Sequence, residues 1–91
     1  VFFLVQAWED AARALGLPPA AAAQAIRQTL SGSACLLSAS REGAGALIRA
    51  VASKGGTTQA ALKTLARRRV SAHIVEALRA AARRSAQLSW S

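Results

Sequence analysis

Apolar positions recur along most of the chain at the three- and four-residue spacing of helices, and no run alternates with the two-residue period of a strand. Breaking residues divide this pattern into about five helical pieces. The first covers residues 1–15, carries Phe2, Phe3, Leu4, Val5 and Trp8, and stops at Gly16 ahead of Pro18 and Pro19. Proline is favoured in a first helical turn, so Pro19 is expected to open the second helix, which runs to about Ala39. There Ile26, Leu30 and Leu37 are spaced by four and seven, and Thr29, Ser33 and Leu36 widen the same stripe. Gly32, Ser33 and Ala34 keep the middle of this helix thin, which suits close approach of another helix. Residues 40–45 form a polar turn, a short helix follows through Leu47, Ile48 and Val51 to near Ser53, and Gly55-Gly56 breaks the chain. A fourth helix is expected from Thr57, carrying Ala61, Leu62 and Leu65. Ser71 is the expected N-cap of the fifth, which extends to about Leu88.

The fifth helix separates its residues by face. At about 100° per residue, Ile74, Val75, Leu78, Ala82 and Ser85 fall within one arc of about 100°, and Glu76, Arg79, Arg83 and Arg84 fall opposite. The arginines therefore line the exposed side of an amphipathic helix, and His73 lies on the same polar arc. The predicted class is all-α.

Ninety-one residues make a single domain near the small end of what folds alone. Alanine is abundant, and each alanine buries little area, so the domain is expected to need a partner to complete its core. The single cysteine, Cys35, excludes an internal disulfide and has no companions for a zinc site; among small residues it reads as inert core. No basic start and cleavage site mark a secretory leader, and the apolar run at residues 2–5 is far short of the roughly 20 residues that span a bilayer. The expectations are no membrane association and a reducing, cytoplasmic setting. A start at Val1 and the lack of methionine are read as a fragment of a longer protein. Twelve basic residues against four acidic give a net charge of +8. Lys63 with Arg67, Arg68 and Arg69 is a real basic cluster, but no aromatic residue interleaves it, and nucleic-acid binding is not expected. Glu9, Asp10, Glu42 and Glu76 are too dispersed for a carboxylate pair or a metal cage, so no metal is expected.

Candidate chemistry concentrates at Ser53-Lys54-Gly55-Gly56-Thr57-Thr58. A glycine pair between helices lets the backbone take positive φ and turn N–H groups toward one point. The helix that begins there adds unpaired N–H groups and the positive end of its dipole, with hydroxyls from Ser53 and the two threonines. Such a bend suits a small anion such as a carboxylate; the same residues also fit an ordinary helix–turn–helix with a threonine cap. The spacing is not that of a phosphate-binding P-loop.

The stretch Leu47-x3-Val51-Ala52-Ser53-x-Gly55-Gly56-Thr57-Thr58-x-Ala60-Ala61-Leu62-x-x-Leu65 resembles the signature of the pyrroline-5-carboxylate reductase family. The likeness extends from Val1-Phe2-Phe3 and Ala7, through Leu15-Gly16-Leu17-Pro18, Gln28 and Gly32, to Val75-Glu76-Ala77, and so covers nearly all of residues 1–91. Its implication is a C-terminal dimerisation domain whose helices interleave with those of a second copy, within an enzyme that reduces pyrroline-5-carboxylate to proline using NADPH or NADH. The cofactor would sit on an N-terminal Rossmann domain absent from this chain, so no cofactor-binding residue is expected here and the chain alone would be inactive. Carried over by position, Ser53, Gly55, Gly56 and Thr57 would hold the substrate carboxylate, and Thr58 would serve the ring nitrogen as the catalytic residue. Lys54 departs from a usual proline, Gln6 from an acidic residue, Ala66 from an acidic or amide one, and Arg68-Arg69 from a common glycine pair. The competing readings are a structural dimerisation module of a related imine reductase and a basic helical nucleic-acid binder.

Overall fold

A computed structural model describes residues 1–52 and 56–90. They form α1 (Phe2–Ala14), α2 (Pro19–Ala39), α3 (Ala44–Ala52), α4 (Gly56–Arg67) and α5 (Val70–Trp90), with no strand among the described residues. The all-α expectation and its five pieces hold. The second helix has the expected bounds; α3 starts inside the expected turn, α4 one residue early at Gly56, and α5 runs on to Trp90. The chain divides into two compact units, Val1–Leu47 and Ile48–Ser91.

In the first unit, α1 and α2 pack together as a hairpin. The turn is set by Gly16 at φ 108°, a conformation that side-chain-bearing residues avoid. Its N–H donates to the Arg13 carbonyl at 3.0 Å, and the Leu17 N–H donates to the Ala12 carbonyl at 3.0 Å. This pair of bonds is a Schellman closure, which satisfies carbonyls that the end of α1 would otherwise leave open. Pro19 occupies the first turn of α2, and the Ala22 N–H donates back to the Pro18 carbonyl at 2.9 Å. Val5, Glu9 and Ala12 of α1 lie on its covered side, at helical spacing. On α2 the covered positions are Ala22, Ala23, Ile26 and Leu30. At the end of α2 the Ser40 hydroxyl accepts N–H bonds from Glu42 at 3.3 Å and Gly43 at 3.1 Å, tying down the turn that starts α3. That serine does in the turn what a helix-capping side chain does at an N-terminus.

In the second unit α4 packs on α5. The expected Ser71 cap is not used: α5 begins at Val70, and Ser71 is already inside it. The reason lies at the end of α4. Arg69 takes φ 55°, its N–H donates to the Ala66 carbonyl at 3.1 Å, and its own carbonyl accepts the His73 N–H at 3.2 Å. One residue thus closes α4 and opens α5, leaving no length for a serine-capped approach. The left-handed conformation costs a side-chain-bearing residue about 1–2 kcal/mol.

Each hairpin pairs a short helix with a long one. The 13 residues of α1 and 12 of α4 give lengths of about 20 and 18 Å, while the 21 residues of α2 and of α5 give about 32 Å each. A short partner cannot cover a long one. Residues 31–39 of α2 are therefore all exposed, Leu36 and Leu37 included; on α5 the contact with α4 covers still less, and residues 71–89 are all exposed. The apolar arc of α5 faces solvent within the single chain, with Leu78 66% exposed. Cys35, expected in the core, is exposed because it sits on the uncovered end of α2. Arg79, Arg83, Arg84 and His73 are exposed as expected.

Among the described residues only Ala12 and Ala22 are buried, at 9% and 0% exposure. Sixteen large apolar side chains among the described residues are exposed, with Phe2 at 90% and Phe3 at 81%. The accessible surface is 7845 Å² for a 9.4 kDa chain. Two separate compact bodies of half that mass would together expose only roughly 6,000 Å². The helices are locally well formed, but neither hairpin has a private core.

Two opposite shifts in stability follow from the two turns. Gly16→Ala is expected to lower the free energy of urea unfolding by about 1–2 kcal/mol, and Arg69→Gly to raise it by up to about 1 kcal/mol. Shifts in the same direction would show that these turns are not the strained points of the fold.

Candidate functional site

Gly56, Thr57 and Thr58 are the first three residues of α4, so the turn geometry leaves their N–H groups without intrahelical acceptors. The helix dipole adds partial positive charge at the same end, and no acidic side chain occupies the first turn to neutralise it. Thr57 is exposed; Thr58 is half-buried and shares its stripe with Leu62, one turn later. Neither threonine hydroxyl makes a hydrogen bond among the described residues, whereas the Thr64 hydroxyl further along α4 donates to the Ala60 carbonyl at 3.1 Å. The structure thus brings three of the five expected site residues together. The other two, Ser53 and Gly55, lie with Lys54 outside the described residues.

Of the glycine pair expected to allow positive φ, Gly55 lies outside the described residues, and Gly56 has the ordinary conformation of a first helical residue, because α4 already starts there. Its lack of a side chain instead leaves open space: a Cβ built on it meets no atom within 4 Å.

One residue at this end was not anticipated. The Gln59 side-chain amide donates to the carbonyl of Ala52, the last residue of α3, at 3.2 Å. Gln59 stands at the variable position of the motif, between Thr58 and Ala60, so its type carried no signal.

The charge is unevenly divided. Residues 1–47 hold three basic and three acidic side chains, while residues 48–91 hold nine basic and one acidic, so the net +8 belongs to the half that contains the start of α4. Such a field favours approach of anions and weakens with salt. Among the described residues no group of three His, Cys, Asp or Glu side chains could hold a metal ion, and no helix is long and apolar enough to cross a membrane.

An all-helical chain of paired short and long helices, with apolar faces left uncovered, has the form of an assembly domain. Over residues 1–88 the sequence matches the family model described as pyrroline-5-carboxylate reductase dimerisation. The chain belongs to the pyrroline-5-carboxylate reductase family and corresponds to its dimerisation domain. Similar curated proteins include the pyrroline-5-carboxylate reductase of Pseudomonas aeruginosa, 39% identical over 88 residues, or 97% of this chain and 32% of that protein. Those of Arabidopsis thaliana and Escherichia coli are each 36% identical over 91 residues, which is 100% of this chain and 33% and 34% of theirs. The chain therefore spans about a third of the length of the curated relatives it matches. No solved structure matches it.

The open space at Gly56 makes a direct prediction. Gly56→Ala is expected to preserve helix content by circular dichroism and to raise stability by up to about 1 kcal/mol, since alanine is the better helix former. A loss of helix would mean that this glycine serves the turn.

Proposed function

We propose that this chain is the C-terminal part of a pyrroline-5-carboxylate reductase, an enzyme that reduces 1-pyrroline-5-carboxylate to proline with NADPH or NADH, and that the chain alone is inactive. The observation that carries the reading is the start of α4: three free N–H donors and two threonine hydroxyls, with no competing carboxylate, inside the family's motif. The N–H groups of Gly56 and Thr57, with Ser53 and Gly55, hold the substrate carboxylate, and Thr58 hydrogen-bonds the ring nitrogen. A proton at that nitrogen makes the neighbouring ring carbon electron-poor and completes the amine after reduction. The chain's own contribution is to fix the ring's position and stabilise its charge.

The nicotinamide cofactor supplies the hydride. A dinucleotide's phosphates are held where a strand leads through a glycine turn into a helix, and the described residues contain no strand. They do not fit that group, which falls to a Rossmann domain outside this chain.

The uncovered apolar faces fit a second copy of the same domain, with α2 and α5 receiving helices from the partner in an interleaved homodimer. A cytoplasmic setting accords with the one unpaired cysteine.

The full-length protein should oxidise NADPH or NADH in the presence of pyrroline-5-carboxylate, and the 91-residue chain should not. In the full-length protein, Thr58→Val should cut kcat by about 100-fold while leaving the assembly mass unchanged. A full-length protein inert toward this imine would end the assignment, and unchanged kinetics in the variant would reduce Thr58 to a helix cap.

A further inference from the structure

We propose that Gln59 is a positioning residue for substrate, holding the last carbonyl of α3 against the first turn of α4. The inference rests on the reading that the start of α4 binds the substrate carboxylate.

The carbonyl of Ala52 ends α3, so the helix itself provides no donor for it. The Gln59 amide reaches it across seven residues at 3.2 Å, and a carbonyl acceptor fixes which end of the amide faces it. Thr58, the residue next to Gln59, carries the hydroxyl assigned to the ring nitrogen, and Gly56 and Thr57 carry the N–H groups assigned to the carboxylate. One hydrogen bond therefore ties the donor-bearing turn to the end of the preceding helix. The Gln59 side chain itself is committed to Ala52. Its effect is on how well those donors are held in place before substrate arrives, and preorganised donors bind more tightly because less motion is lost on binding.

Leucine in place of Gln59 keeps a good helix former and removes the donor. In the full-length protein Gln59→Leu should raise KM for pyrroline-5-carboxylate about fivefold, the equivalent of one hydrogen bond. KM for the dinucleotide should not move. Gln59→Lys, which restores a donor on a side chain of similar length, should recover most of that loss. The same pair of variants is also read in the isolated chain by 15N relaxation. There Gln59→Leu should lower the amide order parameters of Gly56, Thr57 and Thr58 relative to Leu62, and Gln59→Lys should restore them. An unchanged KM in an active enzyme overturns the proposal. If the full-length protein does not act on the imine, the functional reading fails, and unchanged order parameters would then overturn the clamp on its own.

Discussion

A helix of 12 or 13 residues cannot cover one of 21, and the rest of this structure depends on that mismatch. Both hairpins pair a short helix with a long one, and in the second α5 is exposed along residues 71–89, even where α4 packs on it. The covered parts hold chiefly small or half-exposed side chains, since Ala12 and Ala22 alone are buried among the described residues. Alanine lets helices approach closely but removes little apolar area from water, so tight packing here yields little of the burial that offsets chain entropy. The large side chains that could supply it, among them Phe2, Phe3, Leu36 and Leu78, lie outside the hairpins' own contacts. The hydrophobic contribution to folding is therefore displaced from the interior of one chain to whatever covers those faces. Membership of a dimerisation family gives that arrangement its purpose.

The same economy reaches the site. Gly56, Thr57 and Thr58 are placed by the start of a helix rather than by a rigid surrounding core, and α4 is the short member of its pair. What orients this end among the described residues is local: the Gln59 amide on the Ala52 carbonyl and the half-buried stripe of Thr58 and Leu62. The concentration of basic side chains in residues 48–91 acts at longer range, drawing anions toward the half of the chain where the donors lie.

The helices were legible in the sequence because their breaks carry strong local chemistry. Gly16, Pro18 and Pro19 are residues whose backbone preferences leave little choice, and the start of α2 followed from them. Arg69 was not legible as a turn, because nothing about an arginine pair by itself announces a left-handed residue; its conformation belongs to a link of only two residues, Arg68 and Arg69, between α4 and α5. Ser71 was misread as a cap for the same reason. Cys35 was misplaced because local composition says nothing of how far α1 reaches along α2. At the site, the donor-bearing residues could be read from the motif, whereas the Gln59 contact depends on the path between two helix ends and had no counterpart in residue type.

Displacement of the apolar core to a partner is tested most directly by the mass of the folded chain in solution. Light scattering at micromolar concentration, combined with thermal unfolding, should give twice the 9.4 kDa chain mass and a transition that moves upward as protein concentration rises. A 9.4 kDa species that unfolds cooperatively, with a midpoint independent of concentration, would contradict it.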